Sequence, residues 1–117
     1  MRTHIHFVNV ELEASERERY LERVDAVLRR FSDRIETIRV RIGDHNGPKG
    51  GIDHRCFAEA VLTGGRRVEV EAWGFHPREA LEAGLRRVRR RVGRELTRRA
   101  ADNRRRTPLG VASMDAP

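Results

Sequence analysis

Two stretches of this chain switch side-chain character at every residue, and that alternation constrains the fold more than any other feature. In residues 36–42 (ETIRVRI), Ile38, Val40 and Ile42 fall on one face and Arg39 and Arg41 on the other. In residues 66–73 (RRVEVEAW), Val68, Val70 and Ala72 oppose Glu69, Glu71 and Trp73. Successive strand side chains point to opposite faces, so each stretch predicts a half-buried strand in a sheet covered on one side. The outer face would carry Arg39, Arg41, Glu59, Glu69 and Glu71, whose charges can pair across strands.

The other elements follow from the same kind of pattern. Residues 3–10 (THIHFVNV) predict a first strand and residues 54–62 a third, with Thr63-Gly64-Gly65 as a hairpin turn. Ser15 and Glu18 fit a capping box for a helix whose stripe is Tyr20, Leu21, Val24, Val27, Leu28 and Phe31. Pro77 suits the first position of a second helix, in which Leu81, Leu85, Val88, Val92 and Leu96 recur at helical spacing. Residues 43–53, broken by Asn46-Gly47-Pro48 and Gly50-Gly51, read as a loop, and residues 107–117 as a frayed tail. The order is β-α-β-β-β-α. Two helices packed on one face of a four-stranded sheet satisfy every apolar stripe at once, which predicts an α+β fold. The 117 residues suffice for one domain, placed at 1–100, with a basic and then flexible tail at 101–117.

Charge is where composition enters. The chain has 25 basic and 18 acidic residues, and Lys49 is its only lysine. Residues 86–106 hold eleven arginines against Glu95 and Asp102, whereas residues 1–85 are close to neutral. An excess confined to one segment points to a polyanionic partner. On a helical wheel with Leu81 at the origin, Arg86, Arg87, Arg90, Arg94 and Arg98 lie at about 140–260°, opposite the core stripe. Arg99 returns to the core side, which suggests that the helix has outrun the sheet there. In the first helix Arg19, Arg23 and Arg30 share one flank, and Glu18, Glu22 and Asp25 the other. Side by side, the two helices would merge their basic flanks into one positive surface. Aromatic residues suited to base stacking are few, so a phosphate-reading, shape-dependent binder is expected rather than a single-strand reader.

Several phrases resemble the ribosome hibernation-promoting factor / ribosome-associated inhibitor A family, also called protein Y. They are Phe31-Ser32-Asp33-Arg34-Ile35, the Gly64-Gly65 hairpin before a Val-Glu-Val-Glu-Ala strand, and a basic last helix opening through Ala80-Leu81-Glu82. The loop from Asp44 to Asp53, with Cys56, resembles a branch of that family with a Gly-Pro-rich loop. The resemblance covers residues 3 to about 100. It implies binding to 16S rRNA of the small ribosomal subunit, in the channel for mRNA and tRNA anticodon stems, and arrest of translation. The basic positions that match the family's are Arg87, Arg90, Arg94 and Arg98 in the last helix, with Arg23 and Arg30 as first-helix counterparts; the charge pattern adds Arg86 and Arg91 to the expected rRNA-binding set, and the loop adds Lys49 as an auxiliary phosphate contact. His76-Pro77-Arg78-Glu79-Ala80 replaces the family's Asp-Met-Tyr-Ala-Ala, so no contact of that tyrosine is carried over. A short form without the dimerising C-terminal domain is expected, monomeric when free.

Other chemistry is less well supplied. The 43–53 loop lacks the Gly-Lys-Ser/Thr ending and following helix of a nucleotide-binding loop. His4 and His6 share one strand face and His54 and Cys56 another, so four metal ligands would meet only if those strands were adjacent. Neither a metal, a cofactor, a small-molecule substrate nor a catalytic residue is assigned. With one cysteine, no apolar run near the ~20 residues of a membrane span and no apolar leader in MRTHIHFVNVELEAS, a cytoplasmic, membrane-free location is expected. Two alternatives compete with the ribosomal reading. One is a generic double-stranded RNA-binding module, although the usual α-β-β-β-α order lacks the first strand. The other is a regulatory protein that docks its arginine helix on an acidic protein.

Overall fold

The computed structural model describes residues 1–45 and 53–106, with side chains described through Asp102. Lys49, the glycine breakers of the 43–53 loop and the tail at 107–117 lie outside the described residues. The elements are β1 (Arg2–Val8), α1 (Ala14–Leu28), a 3-10 turn (Arg29–Phe31), β2 (Ile35–Asp44), β3 (His54–Leu62), β4 (Arg67–Gly74) and α2 (Pro77–Arg106). This is the expected order. Helix α2 continues past residue 100 to Arg106.

The sheet has the order β1-β2-β3-β4. β1 and β2 are parallel, joined by α1 as a crossover, and the remaining pairs are antiparallel. Both helices cover the same face. The alternation in β4 holds residue by residue, with Val68, Val70 and Ala72 buried and Glu69, Glu71 and Trp73 exposed. Val24 and Leu28 of α1 and Leu81, Leu85, Val88 and Val92 of α2 complete the core. Each such side chain contributes roughly 1.5–3 kcal/mol when fully buried.

The first helix starts earlier than expected. Its cap is Glu13, paired in a capping box with Glu16, instead of Ser15 with Glu18. The amides of Glu16 and Arg17 both donate to the Glu13 carbonyl at 3.0 Å, which puts Ser15 inside the first turn. Asn9, at φ 58, reverses the chain ahead of it, a conformation Asn tolerates better than most residues. At the β3–β4 hairpin, Gly64 and Gly65 take φ of 96 and 93, as the turn reading requires. Arg99 does not project free of the sheet. Its guanidinium donates to the Thr63 carbonyl at 2.9 Å, so α2 is still anchored on the hairpin there.

How closely α2 lies on the sheet is set by small residues. β3 presents Cys56, Ala58 and Ala60 inward, all fully buried. Gly84 sits over Cys56 so closely that a Cβ there would lie 2.6 Å from the thiol sulfur. A Cβ on Gly74 would lie 2.6 Å from the Ala80 amide, so that glycine permits the tight passage from β4 into α2. The Glu79 carboxylate accepts from the Phe75 amide at 2.9 Å and braces the same turn.

Both edge strands are covered by helix arginines. Arg91 donates to the Glu69 carbonyl at 3.1 Å and Arg87 to the Glu71 carbonyl on β4. Arg17 donates to the Ile5 carbonyl at 3.2 Å on β1. Cationic side chains laid along an edge oppose strand addition by another molecule.

Three outcomes are expected. Gly84→Ala should destabilise the domain by about 1–3 kcal/mol in urea unfolding, because the clash outweighs the helix propensity gained. Adding Cys56→Ala should recover part of that loss, whereas strictly additive losses would show that α2 has room to move. Burial pushes the Cys56 thiol from 9.0 up to about 12, so the unfolded chain ionises first. Stability relative to Cys56→Ala should therefore fall by about 1.4 kcal/mol per pH unit as pH rises from ~9 toward ~12, and a difference constant with pH would contradict this. Arg87→Ala with Arg91→Ala should expose β4 and raise the mass measured by light scattering at high concentration, while the parent chain's mass stays constant.

Candidate nucleic-acid interface

The 3-10 turn that ends α1 and the middle of α2 enclose a groove of about 1030 Å³. Six arginines line it, Arg30, Arg34, Arg86, Arg89, Arg90 and Arg94, and no carboxylate does. Its floor is apolar, with Phe31, Gly93 and Leu96. Packing α1 beside α2 on one sheet face is what brings these charges together. The Arg30 guanidinium lies 5.6 Å from the Phe31 ring centroid, so an apolar ring fixes a cation at the groove wall. Guanidinium groups at this density, without acidic neighbours in the lining, suit a phosphate chain that can be gripped by paired donors.

The expected residues divide into distinct groups. Arg30, Arg86, Arg90 and Arg94 meet in the groove. Arg90 and Arg94 also line a depression of about 300 Å³ on the β4 side of α2, whose lining includes Glu69 and Glu71, so they form a crest between the groove and a hollow of mixed charge. Arg87 and Arg91 line that second hollow, with their donors turned to β4 carbonyls. Arg98 lies 3.9 Å from Glu95, which Arg66 also pairs with, so its charge is partly offset. Arg23 is held away from the groove lining. It binds Glu82 of α2 through two hydrogen bonds of 2.7 and 2.9 Å, forming a clasp between the helices. Those bonds raise the Arg23 pKa and, for the same reason, hold the Glu82 carboxyl below its ordinary range. Lys49 lies outside the described residues.

Arg34 and Arg89 join the groove without having been singled out from the sequence. Arg89 stands about 80° from Leu81 on the helical wheel, on the flank that faces α1. That signal was legible once the helices were placed side by side. Arg34 follows the 3-10 turn, where no simple periodicity projects a side chain.

The opposite face of the sheet is partly neutralised, its ion pairs among the described residues involving Arg55 and Arg67 but neither Arg39 nor Arg41. Arg55 pairs with Glu71, and Arg67 with Glu59 at 3.3 Å. The Trp73 indole N–H donates to Glu71 at 3.0 Å, and with Arg55 it holds that carboxyl below the usual range. His4 and His6 stand on this outer face, while His54 and Cys56 stand on the helix side with β2 between their strands. The four therefore do not converge. The buried, desolvated Cys56 thiol is also a poor nucleophile at neutral pH. No described helix is long and apolar enough to cross a membrane.

No protein-family model matches the chain, and no curated protein matches it in sequence. Its fold has solved counterparts. The N-terminal domain of Thermus thermophilus Protein Y superposes with a TM-score of 0.63 at 23% identity, over 80% of this chain and 98% of that one. A ribosomal subunit interface protein from Coxiella burnetii gives 0.65 at 13% identity, over 83% of this chain and 99% of that one. The chain thus shares, at low identity, the fold of proteins bearing these names.

Proposed function

We propose that this protein binds 16S rRNA of the small ribosomal subunit in the channel shared by mRNA and tRNA, and silences translation by occupying it. The observation that carries the reading is the groove lined by six arginines and no carboxylate. The fold it is built on is also that of a Protein Y domain and of a ribosomal subunit interface protein. A rigid domain with a long basic helix across one face can lie along a curved RNA backbone and contact several phosphates at once. Each contact releases condensed counterions, so affinity accumulates from phosphates rather than from base identity. Occlusion needs no bond to be made or broken. In this reading the protein is a cytoplasmic, non-enzymatic factor that is monomeric when free, and occlusion itself calls for no cofactor.

Arg86, Arg90 and Arg94 changed together to Glu should abolish cosedimentation with small subunits while leaving the circular dichroism spectrum intact. The corresponding Ala variant should bind more weakly and flatten the fall of log affinity with log salt by about 2 to 3. Arg23→Ala should change binding little, because its charge is already matched by Glu82. Excess bulk duplex RNA should fail to displace the protein from subunits. A Glu variant that still pellets with subunits at physiological salt would overturn the proposal, and displacement by bulk duplex would reassign the protein to generic duplex binding.

A further inference from the structure

Where β2 ends and β3 begins, three cation-ligating side chains come together away from the arginine groove. Asp44 and His54 are directly paired across the two strands, and the His45 amide donates to the Asp53 carbonyl at 2.8 Å, closing the ends on each other. One ligand atom each from Asp44, Asp53 and His54 lies within 4.8 Å of the other two. Asp53 is the buried charged residue of the described core, with 2% of its surface exposed. Its Oδ1 is shut off from solvent and accepts no hydrogen bond of regular geometry, its contact being the His54 ring.

The atoms around that oxygen are arranged as ligands are. His54 Nδ1 stands 3.0 Å from Asp53 Oδ1 and 3.1 Å from the Phe75 carbonyl oxygen. A single Nδ1 hydrogen thus faces two acceptors, and a second carboxylate, Asp44, stands close by. Bonds of ~2.0 Å at tetrahedral angles place neighbouring ligand atoms about 3.3 Å apart. A buried carboxylate oxygen whose neighbouring donor is shared with a carbonyl is costly unless a cation meets it.

We propose that Asp44, Asp53 and His54 form a binding site for a first-row divalent cation, zinc foremost. Two carboxylates with one imidazole suit zinc, manganese or cobalt better than calcium or magnesium, which favour all-oxygen shells. The bound ion would tie the end of β2 to the start of β3 and neutralise the buried Asp53. This site differs from a grouping of His4, His6, His54 and Cys56, which the sheet keeps apart.

The test is titration of the metal-stripped full chain with Zn²⁺ by calorimetry, with Co²⁺ absorption as an optical check. One equivalent should bind and raise the thermal midpoint. His54→Gln and Asp53→Asn should each weaken binding at least tenfold, and His6→Gln should leave it unchanged. His54→Gln keeps the test decisive if Asp53→Asn fails to fold. The proposal is overturned if no heat or midpoint shift accompanies Zn²⁺, or if His54→Gln binds as tightly as the parent chain.

Discussion

Everything else in this molecule depends on how low α2 lies on the sheet. Gly84 and the small side chains of β3 remove the bulk that would hold a helix off the strands. The helix axis therefore runs close enough for Arg87 and Arg91 to reach the backbone of β4 on one side. On the other side the same height lets Glu82 meet Arg23 of α1. A larger side chain at either contact would lift the helix, and with it the arginine groove and both lateral anchors. Close packing tolerates little adjustment of this kind, because displaced atoms find no free volume to enter.

The arginines of α2 are consequently not one population. Some serve the fold, covering carbonyls of an edge strand and holding the hairpin through Arg99. Others line a groove that contains no acidic residue, where an anionic partner would relieve their mutual repulsion. A single run of like charge in the sequence is thus divided by helical geometry into structural and ligand-facing sets. Losing a member of the first set weakens or exposes the scaffold, and losing a member of the second leaves the scaffold standing.

The sheet and both helices were legible because their patterns are periodic. Val68, Val70 and Ala72 against Glu69 and Glu71 could occupy only the two faces of a strand, and the stripe from Leu81 to Leu96 only one face of a helix. What periodicity could not show was pairing between distant residues. Arg23 looked free on its own helix, and only the neighbouring helix supplies Glu82. Arg99 looked stranded beyond the sheet, and only the hairpin supplies the Thr63 carbonyl. The cap at Glu13 was hidden because Ser15 offers the commoner signature two residues later. Asp53 read as part of a loop, since nothing local distinguishes a buried aspartate from an exposed one.

The balance of ion pairs on the outer sheet face has a kinetic consequence. With Arg55 matched to Glu71 and Arg67 to Glu59, part of that side's charge is cancelled, whereas the groove on the helix side gathers six arginines and no carboxylate. Positive charge is therefore most concentrated at the groove. As it drifts toward a polyanion, torque turns the helices forward before contact, so fewer collisions are wasted on the wrong orientation.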